Sequence, residues 1–247
     1  LIGAYPDKMF RWGYFTGLRK YDETQLDAMK IQDGALHIVW AGRFIPLKHP
    51  EYVVRLAKRL RDKGCRYHIH MLGDGELEPS MKQEVTDLGL TGSFTFYGYT
   101  EPEKVRDVME QCHIHLFTSN YLEGWGAVVN EGMNSGCVEV VNAQVGAAPY
   151  LIRHGENGLV YPDDSYEKME ALVEDLFAHW DDRKQMGRAA YETIRDMWNA
   201  EHAAKELLRF VCDLQKGRII AAEEGPLSNA PVIRPGKMYQ SMMDGSL

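Results

Sequence analysis

The chain is poor in cysteine, in long apolar runs and in positive charge, and each shortage excludes a class of protein. Four cysteines, at positions 65, 112, 137 and 212 of 247 residues, are too few and too scattered for a disulfide framework or a close-spaced zinc or redox motif. A reducing compartment, the cytoplasm, is the expected location. No apolar run approaches the roughly 18 residues that a membrane span requires, and Leu1-Ile2-Gly3-Ala4 is too short and uncharged for a signal peptide. Twenty-eight basic against thirty-six acidic side chains leave a formal charge of -8. That is the wrong sign for a protein that binds a phosphate backbone, so nucleic acid is not an expected partner.

What is present is ordinary for a folded domain, with 45% hydrophobic and 26% charged residues. From Leu36 onward, short runs rich in β-branched and aromatic residues alternate with stretches of helical period. Strands are predicted to begin near Leu36, Arg66, Ser93, His113, Cys137 and Gly158, with helices over 49–63, 76–89, 101–111, 126–135 and 146–154. Successive strand-helix units joined by right-handed crossovers make a parallel sheet covered by helices on both faces. The expected fold class is therefore α/β, a Rossmann-like doubly wound parallel sheet spanning 35–216. Three consecutive helices, Tyr166 to Trp180, Arg183 to Trp198 and Ala200 to Gln215, should complete it. Residues 1–34 lack a sustained period and read as an extended arm with a polar linker. Residues 217–247, with Pro226, Pro231 and Pro235, read as a tail that is extended or disordered unless something holds it.

Ligands of such sheets bind beyond the carboxyl ends of the strands, so the turns there are the places to search. Gly42-Arg43 with Lys48 follows the first strand and leads into a helix, a suitable receptor for a diphosphate, although two loop cations also fit plain surface charge. After the fourth strand, Glu123-Gly124-Trp125-Gly126-Ala127 opens a helix that carries Glu131. At about 1.5 Å per residue, Glu131 lies roughly 8 to 9 Å beyond that turn, the span from hexose to ribose in a nucleotide sugar. The spacing alone decides nothing: three Glu pairs stand eight apart, where chance gives about 1.6, and a cap or a solvated helix face reads equally well. His68 with His70, and His113 with His115, share strand faces at metal-ligand spacing, but the second and fourth strands are not neighbours in the doubly wound order, so no metal site is expected.

Taken together, Gly42-Arg43 with Lys48, Leu72-Gly73-Asp74-Gly75, Phe96-Tyr97-Gly98-Tyr99, Glu123-Gly124-Trp125-Gly126 through Glu131-Gly132, and His154-Gly155-Glu156-Asn157-Gly158-Leu159 resemble a known family. Residues from about 36 to 214 resemble the C-terminal, donor-binding domain of retaining glycosyltransferases of the GT-B fold, the glycosyl transferases group 1, family 4 type. Arg11-Trp12-Gly13-Tyr14-Phe15 is similar to the segment that joins the two halves of such enzymes.

The resemblance implies a hexosyltransferase whose donor is a nucleoside diphosphate sugar, acting in glycan or cell-surface polysaccharide synthesis with no metal and no other cofactor. Arg43 and Lys48 would hold the diphosphate and stabilise the leaving nucleotide, and Glu123 would hold the donor sugar; these are the candidate catalytic residues. Gly42 and the amides of Gly124, Trp125, Gly126 and Ala127 would lie by sugar and phosphate, Glu131 by the ribose, and Gly98 and Tyr99 by the base. It further implies an acceptor domain preceding residue 1, or supplied by a partner chain. The alternatives are a non-catalytic nucleotide-sugar-binding module working with a partner chain, and a sugar-nucleotide epimerase of the same fold. Eight basic and two acidic residues between Arg43 and Arg66 suit either a solvated face or peripheral contact with the inner face of a membrane carrying a lipid-linked acceptor. The sequence departs from the family pattern at His49-Pro50, where glycine is usual, at Trp125, where Phe is commoner, and over Gly146-Ala147-Ala148-Pro149-Tyr150.

Overall fold

A computed structural model describes residue 5, residues 8–163 and residues 165–246. Residues 1–4, 6 and 7 of the expected arm, and residue 247 of the expected tail, lie outside the described residues. Six strands, β1 (Leu36–Ala41), β2 (Tyr67–Leu72), β3 (Phe94–Gly98), β4 (Ile114–Phe117), β5 (Val138–Asn142) and β6 (Gly158–Tyr161), form one sheet in the order β3-β2-β1-β4-β5-β6, with all pairings parallel. This is the doubly wound order, in which the chain reverses direction of growth between β1 and β4.

Helices cover both faces. α2 (Glu51–Asp62), α3 (Glu78–Asp87) and α7 (Tyr166–Ala178) lie on the face that Ile38, Trp40, Ile69, Met71, Ile114, Leu116, Val138 and Val140 present. The apolar stripe of α2 expected at Val53, Leu56, Ala57 and Leu60 is wholly buried there, while Arg59 of its basic side pairs with Glu170 and Glu174 of α7, and Lys63 with Glu174. The opposite face carries α4 (Pro102–Gln111), α5 (Ala127–Asn134), the single turn α6 (Ala148–Leu151) and α8 (Trp180–Glu192), against Val39, Phe117, Val141 and Val160. A π-helical turn, Thr193–Met197, and α9 (Ala200–Gln215) follow. Among the described residues no helix is long and apolar enough to cross a membrane.

Two expectations need correction. The stretch read as a polar linker contains a helix, α1 (Glu23–Met29), started by a capping box in which Asp22 and Gln25 satisfy each other's backbone amides. With Leu26 its one buried residue, seven residues are too short to show a period. The tail is held rather than loose: Leu227 N–H donates to Arg11 O (2.8 Å), Arg11 N–H to Ser228 O (2.8 Å) and Ala230 N–H to Met9 O (2.9 Å), so arm and tail pair as antiparallel strands do. Leu227 and Ser228 are buried, and a further helix, α10 (Met238–Met243), brings Tyr239 and Met242 against the core around Trp198. Each segment supplies the partner the other lacks, a long-range pairing with no local signature.

The histidines show why strand order matters. β1 does separate β2 from β4, but His37 on β1 fills the gap between them, its ring centroid 5.8, 5.2 and 5.9 Å from those of His68, His70 and His113. Nitrogens of the first three are used in hydrogen bonds: Asp33 Oδ1 to His37 Nε2 at 3.1 Å, His37 Nδ1 to His70 Nε2 at 2.9 Å, His70 Nδ1 to Tyr97 Oη at 2.9 Å, and His68 Nε2 to Thr95 Oγ1 at 2.8 Å. Burial pushes His70 down to about 4, so it is neutral at pH 7. Among the described residues no group of three or more His, Cys, Asp or Glu is arranged to hold a metal ion.

The arm is fastened by Asn134, fully buried at the end of α5. Its Oδ1 accepts from Arg19 N–H (2.8 Å) and Arg106 Nη2 (2.6 Å), and its Nδ2 donates to Arg19 O (3.0 Å). The Arg19 guanidinium in turn reaches Glu103, Asp107 and Glu110 of α4. Asn134→Ala should therefore cost at least about 2 kcal/mol in urea unfolding, since each orphaned buried group costs about 1 to 3 kcal/mol. It should also speed proteolysis within residues 8–21; unchanged stability and cleavage would show that the arm is held elsewhere.

Candidate functional site

At the switch point, the turn after β1 and the turn after β4 are locked together. Phe44 N–H donates to Asp74 O (2.8 Å) and Gly73 N–H to Gly98 O (2.9 Å), tying the ends of β1, β2 and β3 to one another. A side chain cannot fit at Gly73: φ is 120° and a Cβ would fall 2.0 Å from Gly42 O. From the β4 side, Thr118 Oγ1 accepts from Trp40 Nε1 (2.8 Å) and donates to Lys48 O (2.5 Å), while Asn120 N–H donates to Leu47 O (3.0 Å).

The His49 departure has a local cause. His49 ends a short 3₁₀ turn, Pro46–Lys48, at φ 46° and ψ 53°, the left-handed region that glycine normally occupies. Its ring is held by Glu51 Oε1 on Nδ1 (2.7 Å), by Asn120 on Nε2 (3.1 Å) and by stacking on Tyr52 at 5.0 Å, contacts that offset the backbone strain.

Between these turns lies a cavity of about 710 Å³, within the usual range for a ligand of nucleotide-sugar size. Gly42, Arg43, Lys48, Tyr99, Glu123, Gly126, Ala127 and Glu131 all line it. Gly98, Gly124 and Trp125 do not. Trp125 Nε1 donates to Asn130 Oδ1 (2.8 Å), and its ring packs on Tyr14 of the arm and on Tyr150 (centroids 6.1 and 5.6 Å). The unusual segment 146–150 likewise packs against this tryptophan, with Ala147 N–H donating to Trp125 O (2.9 Å), and contributes nothing to the cavity lining. Asp74, Thr100, Leu122 and Val128 line the cavity without having been singled out individually in the sequence. Asp74 and Thr100 were legible only as neighbours of the Gly73 and Gly98 turns.

Lys48 and Glu123 form an ion pair across the floor, both side chains largely buried (17% and 16% exposed), with the ammonium 5.1 Å from the Phe117 ring centroid. Each thus has the other as its partner. α5 follows Gly126, left-handed at φ 82°, with no side chain capping its first amides; Val129 N–H donates to Gly126 O (2.9 Å), and the N–H groups of Ala127 and Val128 lie at the positive end of the helix dipole, which suits an anion. One to two turns further on, burial raises the Glu131 carboxyl above its ordinary value, and the charges of Arg106 and His115 only partly oppose the shift. The arrangement offers two cations and helix amides for a diphosphate, and two carboxylates for hydroxyl pairs.

D-inositol 3-phosphate glycosyltransferase of Rhodococcus erythropolis is 27% identical over 187 residues, 71% of this chain and 42% of that protein. The lipopolysaccharide core biosynthesis glycosyltransferase LpsE of Rhizobium meliloti is 25% identical over 160 residues, 65% of this chain and 45% of that protein. The chain thus spans less than half the length of these curated relatives. TarM of S. aureus, solved in complex with fondaparinux, α-GlcNAc-glycerol and UDP, superposes with a TM-score of 0.67 at 18% identity, over 79% of this chain and 38% of that one. Its likeness is in the fold, the Rossmann-like C-terminal domain of GT-B glycosyltransferases. Residues 22–193, which carry the whole sheet and every residue of the cavity, match the family described as glycosyl transferases group 1, and to that family this chain belongs.

Proposed function

We propose that this chain is the donor-binding half of a metal-independent, retaining hexosyltransferase that takes a nucleoside diphosphate sugar and acts in glycan or polysaccharide synthesis. The observation that carries the proposal is the convergence of Arg43, Lys48, Glu123 and Glu131 on one cavity at the β1/β4 switch point. Arg43, Lys48 and the first amides of α5 would face the diphosphate. As the glycosidic bond breaks, negative charge grows on the β-phosphate, and fixed cations and amides stabilise that charge in the role a divalent metal plays elsewhere. Glu123 would accept from sugar hydroxyls and Glu131 from the ribose. For retention, the acceptor hydroxyl would enter on the leaving-group face and pass its proton to a phosphate oxygen. The acceptor itself must be held about 3 to 3.5 Å from the anomeric carbon in a dry cleft, a task for an acceptor-binding domain facing this cavity. UDP in the TarM complex supports a uridine nucleotide as the first ligand to try.

The phosphate assignment is tested by replacing both cations. Arg43→Ala with Lys48→Ala should weaken UDP binding by about 1.5 to 3 kcal/mol per lost charged contact, leaving uridine binding unchanged in calorimetry. Equal losses for both ligands would overturn it.

The Lys48–Glu123 ion pair adds a sharper expectation. A diphosphate must take Lys48 from Glu123 and tolerate the carboxylate beside it. Glu123→Gln should therefore bind UDP several-fold more tightly than the unaltered chain, yet bind UDP-sugar less tightly, because the charged acceptor for sugar hydroxyls is gone. Parallel changes for the two ligands would remove Glu123 from the sugar site.

Glu131 predicts a pH dependence. Hydroxyl pairs bind the ionised carboxylate, and burial raises its pKa, so nucleotide affinity should be full above that raised value and fall as pH drops through it. Glu131→Gln should give weaker binding with that step missing. A step that persists in the variant would place the titrating group elsewhere.

A further inference from the structure

At the opposite end of the sheet, by the amino ends of β1 and β4, a second cavity of about 160 Å³ opens between α1, the residue preceding β4 and the first turns of α8. Four cations line it, Lys30, Arg183, Lys184 and Arg188, against one carboxylate, Asp27. On a chain with a formal charge of -8, a local excess of three positive charges is conspicuous.

Their partners, Glu23 included, reduce the excess to two without removing it. Lys184 and Arg188 both use the same oxygen, Asp27 Oδ2, and Arg188 also reaches Glu23 at 3.3 Å. Lys30 Nζ donates to two carbonyls, Cys112 O and Ser135 O, each at 2.7 Å, and these supply no countercharge. Arg183 is 4% exposed, donates Nη1 to Leu176 O (3.1 Å), lies 3.7 Å over the Trp180 ring, and has no carboxylate partner among the described residues. A buried guanidinium without a countercharge is costly, and such groups persist where something completes them.

Three nitrogens of this lining are buried without a hydrogen-bond partner: Arg183 Nη2, Arg188 Nε and His113 Nε2. All three are donors. His113 Nδ1 accepts from His37 N–H at 3.0 Å, so the neutral ring carries its proton on Nε2. Burial and the nearby Arg183 and Lys30 charges hold His113 down to about 3, which keeps the ring neutral at pH 7, whereas Arg183, lowered to about 10, stays charged.

We propose that this cavity is a second ligand site that binds a phosphate-class dianion, free or as a monoester, separate from the donor cavity. Cations and unpaired N–H donors on the residues of one lining suit tetrahedral oxygens, and a dianion offsets the remaining excess charge. The inference does not depend on the donor reading, because it uses none of the same residues.

The test is calorimetric titration of the full chain with inorganic phosphate at constant ionic strength, with ¹⁵N spectra of the histidine rings recorded alongside. One saturable site is expected, with a shift of His113 Nε2. Arg183→Met should weaken it at least about tenfold, and Lys184→Gln, a half-exposed position that leaves the core intact, several-fold. The Arg43→Ala with Lys48→Ala variant should retain it. Tighter binding of glycerol phosphate than of phosphate would identify a monoester as the ligand, and equal binding the free ion. Absence of saturation, an unmoved His113 signal, or loss of binding in the Arg43 and Lys48 variant alone would overturn the proposal.

Discussion

Everything in this molecule hangs on the burial of β1. All six of its residues are buried, because β2 and β4 flank it and helices cover both its faces. Ile38 and Trp40 face the α2 side, while His37 and Val39 face the α4 side. Chains leaving β1 and β4 at their carboxyl ends must diverge, since the connections after them run to opposite sides of the sheet. The divergence makes the cavity at the switch point, and the hydrogen bonds from Thr118 and Asn120 to the turn carrying Lys48 hold its two sides together. The same central position forces His37 into contact with histidines from both neighbours at the other end.

Charge is distributed to match. Several cations are taken up by carboxylates on neighbouring elements, as Arg59 is by Glu170 and Glu174, and Arg19 by Glu103, Asp107 and Glu110. The cavity at the switch point and the cavity by Arg183 differ in this respect. In the first, Lys48 has a countercharge in Glu123; in the second, Arg183 has none among the described residues. A buried ion pair offsets part of its own desolvation cost, whereas a buried cation without a countercharge does not.

The arm and tail extend the domain rather than dangle from it. Arg19 and Asn134 fasten the arm over α4 and α5, Tyr14 meets Trp125 behind the donor turn, and residues 225–228 close over the arm. Trp125 is thereby placed in packing between the arm and Tyr150, one residue from the cavity-lining Gly126. The arm and the turn after β4 thus meet through that ring.

The sheet was legible from sequence because each strand-helix unit buries a local apolar pattern: Val53, Leu56, Ala57 and Leu60 announce α2 without knowledge of what they pack against. The carboxyl-end turns bearing Arg43, Lys48, Glu123 and Glu131 were legible for the same reason, since topology sends strand ends to one side. Short α1 could be read only from its Asp22–Gln25 capping box, as seven residues carry too little period. Pairing of Lys48 with Glu123, 75 residues apart, was decided only by the fold. So were the antiparallel contact of Arg11 with Leu227 and Ser228, and the meeting of His113 with Trp180 and Arg183. Local patterns determine which face of an element is buried; which distant side chains share the buried space is set by packing, which no local pattern encodes.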